Sequence, residues 1–259
     1  MQSFSRHRQA GFTLVEIAIV LVIIGLILGG VLKGQELVTS ARVRNIADQQ
    51  NAVKAAFFAF QDRYKAVPGD YSAASTTIPG LAPASNGGTA VDGSGDGFIY
   101  FMQDAAPPSA ETNESVWAFL HMSAAGFLAC SPCMNAGATG GAPSALNSPS
   151  NAYNGVMQLA YDNCFGATLT ACPADLTGAG TTKPNLANNL KTGSNIPSNI
   201  LAEVDSKLDD GNPNTGSFQF SPYSAGATKP SPATCLTGSG PYQWNRQSPS
   251  TNCGAAYTF

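Results

Sequence analysis

The 259 residues hold 13 Lys and Arg against 16 Asp and Glu, a net charge of -3, and charged residues make up only 11% of the chain, well under the usual quarter. Nothing basic enough to neutralise a row of phosphates is present, which argues against nucleic-acid binding, and two histidines are few from which to build a zinc centre or a Ser-His or Cys-His hydrolase. Abundant Gly, Ser, Thr, Asn and Pro suit a loop-rich extracellular surface.

The first predicted element is one long helix running from Gly11 to Tyr64, apolar in its first half and two-faced in its second. Sixteen uncharged residues separate Glu16 from Lys33, and the apolar segment counted from Phe12 reaches 21 residues, enough to cross a hydrocarbon core of roughly 30 Å. A secretory signal peptide has a shorter apolar region, about 7 to 15 residues, with a small-residue cleavage site after it; neither feature is present. A plain single-pass anchor accounts for the length but leaves Glu16 merely snorkelling, although an intramembrane carboxylate costs roughly 2.5 to 3.5 kcal/mol at mid-bilayer.

A short polar leader with Arg6, His7 and Arg8, the Gly11-Phe12 junction and Glu16 at the fifth position from Phe12 resemble the type IV pilin and type II secretion pseudopilin family. The resemblance implies that a prepilin peptidase cuts after Gly11 and methylates the new amino terminus at Phe12. It also implies that Glu16 neutralises a neighbouring subunit's terminal amine in a filament core; a buried carboxylate is tolerated when an ammonium partner and hydrogen bonds satisfy it. Many family members carry a proline two-thirds along the apolar segment, whereas here Lys33 stands in that region and Pro68 is the first proline. Gly25, Gly29, Gly30 and Gly34 give two overlapping Gly-x-x-x-Gly spacings, which allow close helix packing and weaken the helix by about 1 kcal/mol each relative to Ala. Losing Arg6 and Arg8 with the leader leaves 11 basic against 16 acidic residues, a net charge of -5, so the mature form is expected to bind no nucleic acid.

Arg6 and Arg8 before the span are opposed by Lys33, Arg42 and Arg44 after it, so charge leaves the orientation open. The six cysteines, all beyond the span, suit an oxidising compartment and place the carboxy-terminal part outside the cytoplasm. Val43, Ile46, Val53, Phe57, Phe60 and Tyr64 mark one apolar face of the continuing helix, which Val67-Pro68-Gly69-Asp70 stops. Residues 72–97 read as loop. Thr112 is placed to cap a helix through Val116, Phe119, Leu120 and Phe127, and another helix runs from about Pro197 to before Gly211 with Ile200, Leu201, Val204 and Leu208 inward. Strands are expected at Phe98–Met102, Val156–Tyr161, Ser217–Phe220, Tyr242–Asn245 and Ala255–Phe259. The expected fold is α+β and pilin-like, a long helix packed on an antiparallel sheet with disulfide-bonded insertions: a leader over 1–11, the helix over 12–66 with its transmembrane part at 12–32, and an extracytoplasmic globular domain over 67–259.

Asp92-Gly-Ser94-Gly-Asp96-Gly97-Phe98 matches the start of an EF-hand calcium loop, with side-chain oxygens from Asp92, Ser94 and Asp96, a glycine at the sharp turn and the Phe98 carbonyl. Position twelve is Gln103 in place of the bidentate Glu, so further ligands would come from Asp104 or from Asp205, Asp209 and Asp210. The alternative is an Asp-Gly turn feeding a strand. Cys130-Ser-Pro-Cys133 has redox-motif spacing, but nothing places it between a strand and a helix as in a thioredoxin-like site. His121 reads as a surface or packing residue, and Trp117 and Trp244 as core or interface anchors.

Of the 15 pairings open to six cysteines, neighbours are expected: Cys130 with Cys133, Cys164 with Cys172, and Cys235 with Cys253. Short loops close readily, and the third resembles the disulfide-bounded loop near the carboxy terminus of many type IV pilins. The function expected is a structural one without catalysis or resident cofactor other than calcium: a subunit stored in the bacterial inner membrane, processed by prepilin peptidase, and assembled by an inner-membrane platform into a homo-oligomeric pilus or secretion pseudopilus. The alternative is a minor tip pilin acting as an adhesion or substrate-binding module.

Overall fold

The computed structural model describes residues 13–81, 91–99, 114–134, 143–167, 186–225 and 228–259. Two compact units meet in sequence between Arg42 and Val43. Helix α1 (Leu14–Tyr64) begins in the first and ends in the second. It runs without a break through all four glycines, and a Cβ built at Gly25, Gly29, Gly30 or Gly34 meets nothing within 4 Å. Every residue from Thr13 to Lys33 is exposed. Among the described residues nothing covers the leucines, isoleucines and valines of this run, an apolar helix surface long enough to cross a membrane.

In the second unit, α1 buries Val43, Ile46, Ala47, Gln50, Val53, Ala56, Phe57 and Phe60, the stripe expected of an amphipathic helix on a core. The helix ends where Lys65 turns left-handed at φ 54°, its N–H donating to Gln61 O at 2.8 Å. That is a left-handed carboxy-terminal cap, and Pro68 and Gly69 follow it.

The main sheet has β1 (Gln158–Asp162), β2 (Ala187–Lys191), β6 (Ala255–Thr258) and β3 (Phe218–Phe220) in that spatial order, every neighbour antiparallel. A small hairpin pairs β4 (Leu236–Thr237) with β5 (Gln243–Trp244). Helices α3 (Glu114–Ala124) and α4 (Ser198–Leu208) are the longer of the remaining helices described; α2 (Ala74–Thr77) and α5 (Pro232–Cys235) are single turns. One core cluster joins Val53, Phe57 and Phe60 to Trp117, Phe119 and Leu120 of α3 and to Leu159 and Leu190 of the sheet. A second joins Val43 and Ile46 to Ile200, Leu201 and Val204 of α4, to Phe218, Phe220 and Tyr257, and to Trp244.

The long helix, α4 and the strands at β3, β5 and β6 lie where the sequence patterns put them, within two or three residues. The helix ends at Tyr64 rather than residue 66, because the left-handed Lys65 closes it. Phe98 and Ile99 are not in a strand; Ile99 contributes one backbone bond to β1, from Tyr161 N–H at 3.1 Å. The rest of that expected strand, with Thr112, Gln103 and Asp104, lies outside the described residues. Strands β2 and β4 were not expected. Of β2, Ala-Asn-Asn-Leu-Lys, only Leu190 carries an apolar signal, yet β2 sits in the interior of the sheet with Lys191 fully buried. Its Nζ donates to Asp162 Oδ1 at 2.7 Å and to Cys164 O at 2.9 Å, and Asn189 Nδ2 donates to the same Asp162 oxygen at 2.9 Å.

Candidate functional site

At the start of α1, Glu16 turns back on Thr13. Glu16 Oε2 accepts the Thr13 N–H and the Thr13 Oγ1–H, both at 2.8 Å, and Thr13 Oγ1 accepts the Glu16 N–H at 3.3 Å. This is a reciprocal capping box, which satisfies donors that a helix amino terminus otherwise leaves orphaned. The sequence carried the signal, Thr-x-x-Glu, but its apolar surroundings drew attention to the carboxylate's charge alone. Gly11 and Phe12 lie outside the described residues. At the other end of the apolar run Lys33 and Glu36 form an exposed pair at 2.6 Å, of the kind that contributes little in water.

The Asp-Gly loop is wrapped around a carboxylate of the chain itself. Asp70, 4% exposed, accepts Ser94 Oγ–H at 2.9 Å and the N–H groups of Gly95 at 2.6 Å and Asp96 at 3.0 Å on Oδ1, and the N–H of Gly97 at 2.7 Å on Oδ2. Successive backbone amides converging on one point form an anion-binding nest. Asp92 accepts the N–H and Oγ–H of Ser75, both at 2.7 Å; Asp96 Oδ1 accepts Phe98 N–H at 3.0 Å; Ser94 N–H donates to Glu114 Oε1 at 2.9 Å. A calcium ion on Asp92, Ser94, Asp96 and the Phe98 carbonyl would therefore have to draw Asp92 from Ser75 and turn the Ser94 hydroxyl from Asp70.

Asp205, Asp209 and Asp210 do converge, each offering a carboxylate oxygen within 4.8 Å of the others. Each is already engaged. Buried Asp205 accepts Trp244 Nε1–H at 2.7 Å and Gly211 N–H at 3.2 Å; Asp209 accepts the N–H groups of Ser217 and Phe218; Asp210 accepts the Thr215 hydroxyl and the Asn212 N–H. Burial pushes the Asp205 carboxyl up to about 6, against the pull of the Trp244 bond, while the Thr215 and Asn212 bonds hold Asp210 below its ordinary value.

His121 is fully buried, accepting Gly69 N–H on Nδ1 at 3.0 Å with Nε2 2.7 Å from Val91 O, and it stacks on Phe60. These partners require a neutral ring protonated on Nε2, and burial pushes its pKa down to about 4. It is a packing residue tying the end of the long helix to the Asp-Gly loop. Trp117 and Trp244 are core residues, each 3% exposed.

Disulfides join Cys130 to Cys133 and Cys235 to Cys253. With Cys130 and Cys133 both buried, their bridge lacks the exposure that a redox pair needs. Cys164 is also disulfide-bonded; Cys172 lies outside the described residues.

No curated protein and no solved structure matches the chain. Residues 6–32 match the prokaryotic N-terminal methylation motif. This stretch spans the Gly11-Phe12 junction, the Thr13-Glu16 box and the uncovered apolar half of α1, and it gives the chain the amino-terminal signature of type IV pilins and pseudopilins.

Proposed function

We propose that the chain is a structural subunit of a type IV pilus or pseudopilus-like filament, without catalytic activity of its own. Before assembly it is held in the bacterial inner membrane by α1, with its carboxy-terminal part in the periplasm. Prepilin peptidase cuts after Gly11 and methylates Phe12, and an inner-membrane platform then stacks the helices into a homo-oligomer. One observation carries this reading: the residues that match the methylation motif include the apolar half of α1, whose side chains the described residues leave exposed. Such a surface is stable only in lipid or against other copies. The open space beside Gly25, Gly29, Gly30 and Gly34 supports close approach of neighbouring helices in either setting. The disulfide-bonded cysteines Cys130, Cys133, Cys164, Cys235 and Cys253, all buried, support the periplasmic orientation. Calcium remains a proposed ligand of the Asp92, Ser94, Asp96 and Phe98 loop.

The copy number of the subunit in purified filaments tests the proposal. Recovery along the whole shaft supports the structural role, a few copies per filament assign it to the tip as a minor pilin, and absence from filaments contradicts both.

A further inference from the structure

Between Glu16 and Arg42 the chain carries two charged residues, Lys33 and Glu36. They stand in exposed apolar surface, with Val31, Leu32, Leu37 and Val38 around them each more than half exposed. Lys33 Nζ lies 2.6 Å from Glu36 Oε2 with both side chains in the open, a pairing that adds little to its own helix in water. Resting on the filament reading above, we propose that Lys33 pairs with Glu36 of a second copy slid along the helix axis by about one turn, and that this contact shares one register with the Glu16 contact.

Spacing and direction set the register. In both pairs the acid lies on the carboxy-terminal side of the cation: Glu16 follows the terminal amine expected at Phe12 by four positions, and Glu36 follows Lys33 by three. Between parallel copies of one helix, a shift of four residues, about 6 Å, sets Glu16 level with the neighbour's terminus. The same shift brings Glu36 within one residue, about 1.5 Å, of the neighbour's Lys33, a difference that a flexible four-carbon lysine stem absorbs. Unshifted parallel copies would set like charges side by side. An antiparallel copy that matched Lys33 to Glu36 would leave Glu16 far from any amine.

The surroundings favour the contact. Gly30 and Gly34 stand on either side of Lys33 with open space beside both, so a neighbouring backbone can come close. Packing the apolar surface against another copy takes the two charges out of water, where salt screens a pair less and an unmatched charge is most costly. An identical copy supplies both signs in equal number. Each subunit then meets one neighbour through Lys33 and another through Glu36, a head-to-tail contact of the kind that extends into a filament.

The test is co-assembly of complementary variants of the full chain in cells. Lys33→Glu leaves two acids at these positions and Glu36→Lys two bases, so neither subunit can pair within its own helix or with copies of itself. Each alone is expected to reach the membrane at the wild-type level yet lose filament yield about tenfold or more, since stranding a buried charge costs at least that factor. Expressed together, they are expected to restore filaments that contain both, read by mass spectrometry of the sheared fraction. A pair confined to one helix cannot be rebuilt by mixing. Should a reversal deplete the membrane pool, Lys33→Gln and Glu36→Gln repeat the experiment, each stranding one charge and together supplying both. Full yield from either single variant, or mixed expression that restores no filaments, overturns the contact. With wild-type subunit present in filaments, that result fails the Lys33–Glu36 register alone; wild-type absence from filaments overturns the filament reading and the contact with it.

Discussion

Glu16 and Thr13 close on each other across one helical turn, with the carboxylate taking both the N–H and the hydroxyl of Thr13 at 2.8 Å. The carboxylate therefore has two separable jobs, a hydrogen-bonding one within its own helix and a charge one proposed toward a neighbour's amine. Glu16→Gln keeps an acceptor for the cap and removes the charge, whereas Thr13→Ala removes a cap partner and keeps the charge. If charge pairing drives assembly, Glu16→Gln inserts in the membrane normally but loses most filament incorporation, and Thr13→Ala assembles at near wild-type levels. Filament yield in the two variants, set against the membrane pool by immunoblotting, checks this; full assembly of Glu16→Gln would refute the charge role.

Calcium is predicted to raise the melting temperature of the full chain in detergent in a concentration-dependent way, since a ligand that binds only the folded state stabilises it by mass action. Asp92→Asn should abolish the rise if the Asp-Gly loop holds the ion. Calorimetry and melting curves without any change at millimolar calcium remove the proposal, and a rise that survives Asp92→Asn but not Asp209→Asn moves the ion to the acidic trio.

The pH dependence of stability should contain two opposed contributions. His121 has its pKa depressed by burial from 6.5 to about 4, so the unfolded chain takes up the proton first. The stability gained by keeping the ring neutral is fully present above pH 6.5 and is lost as pH falls toward 4, by about 3 kcal/mol. Asp205 is raised from 3.8 to about 6, so its contribution has the other sign, being present at low pH and lost as pH rises through that window. Wild-type melting temperatures should therefore change little between pH 4 and 6. Asp205→Asn should steepen the acid loss, and a flat profile in that variant would count against the neutral His121.

Much of the architecture was legible because it rests on periodicity. Phe57 and Phe60 fall on a helical stripe, and Ile200, Leu201 and Val204 on another, and apolar spacing is what a core requires. Glu16 was conspicuous for a different reason, since an isolated carboxylate in an apolar run has few explanations, and the assembly role proposed for it is a matter for the filament assays. What escaped was polar and long-range. Asn189 and Lys191 place β2 inside the sheet only because Asp162, on β1, satisfies them, and no local pattern announces such a partner. Asp70 reads locally as part of a helix stop, because the four donors that reach its carboxylate come from residues 94–97, more than twenty positions away, in a segment that itself resembles a calcium loop.

The buried Lys191–Asp162 pair yields a double-mutant prediction. Burial depresses the lysine pKa and Asp162 opposes that shift, so each charge depends on the other to remain in the interior. Lys191→Met alone should destabilise by about 3–5 kcal/mol by stranding a buried carboxylate, and Lys191→Met with Asp162→Leu should recover most of the loss. Chemical denaturation of the three proteins checks it. Additive losses in the double variant would show that the pair is not coupled.

We propose that this chain is cut after Gly11, methylated at Phe12 and assembled through α1. Tandem mass spectrometry of the amino-terminal peptide from sheared, purified filaments tests it most directly. A subunit beginning at N-methylated Phe12, recovered in the filament fraction, is the expected result. A chain confined to the membrane fraction and still carrying Arg6 and Arg8 would contradict it.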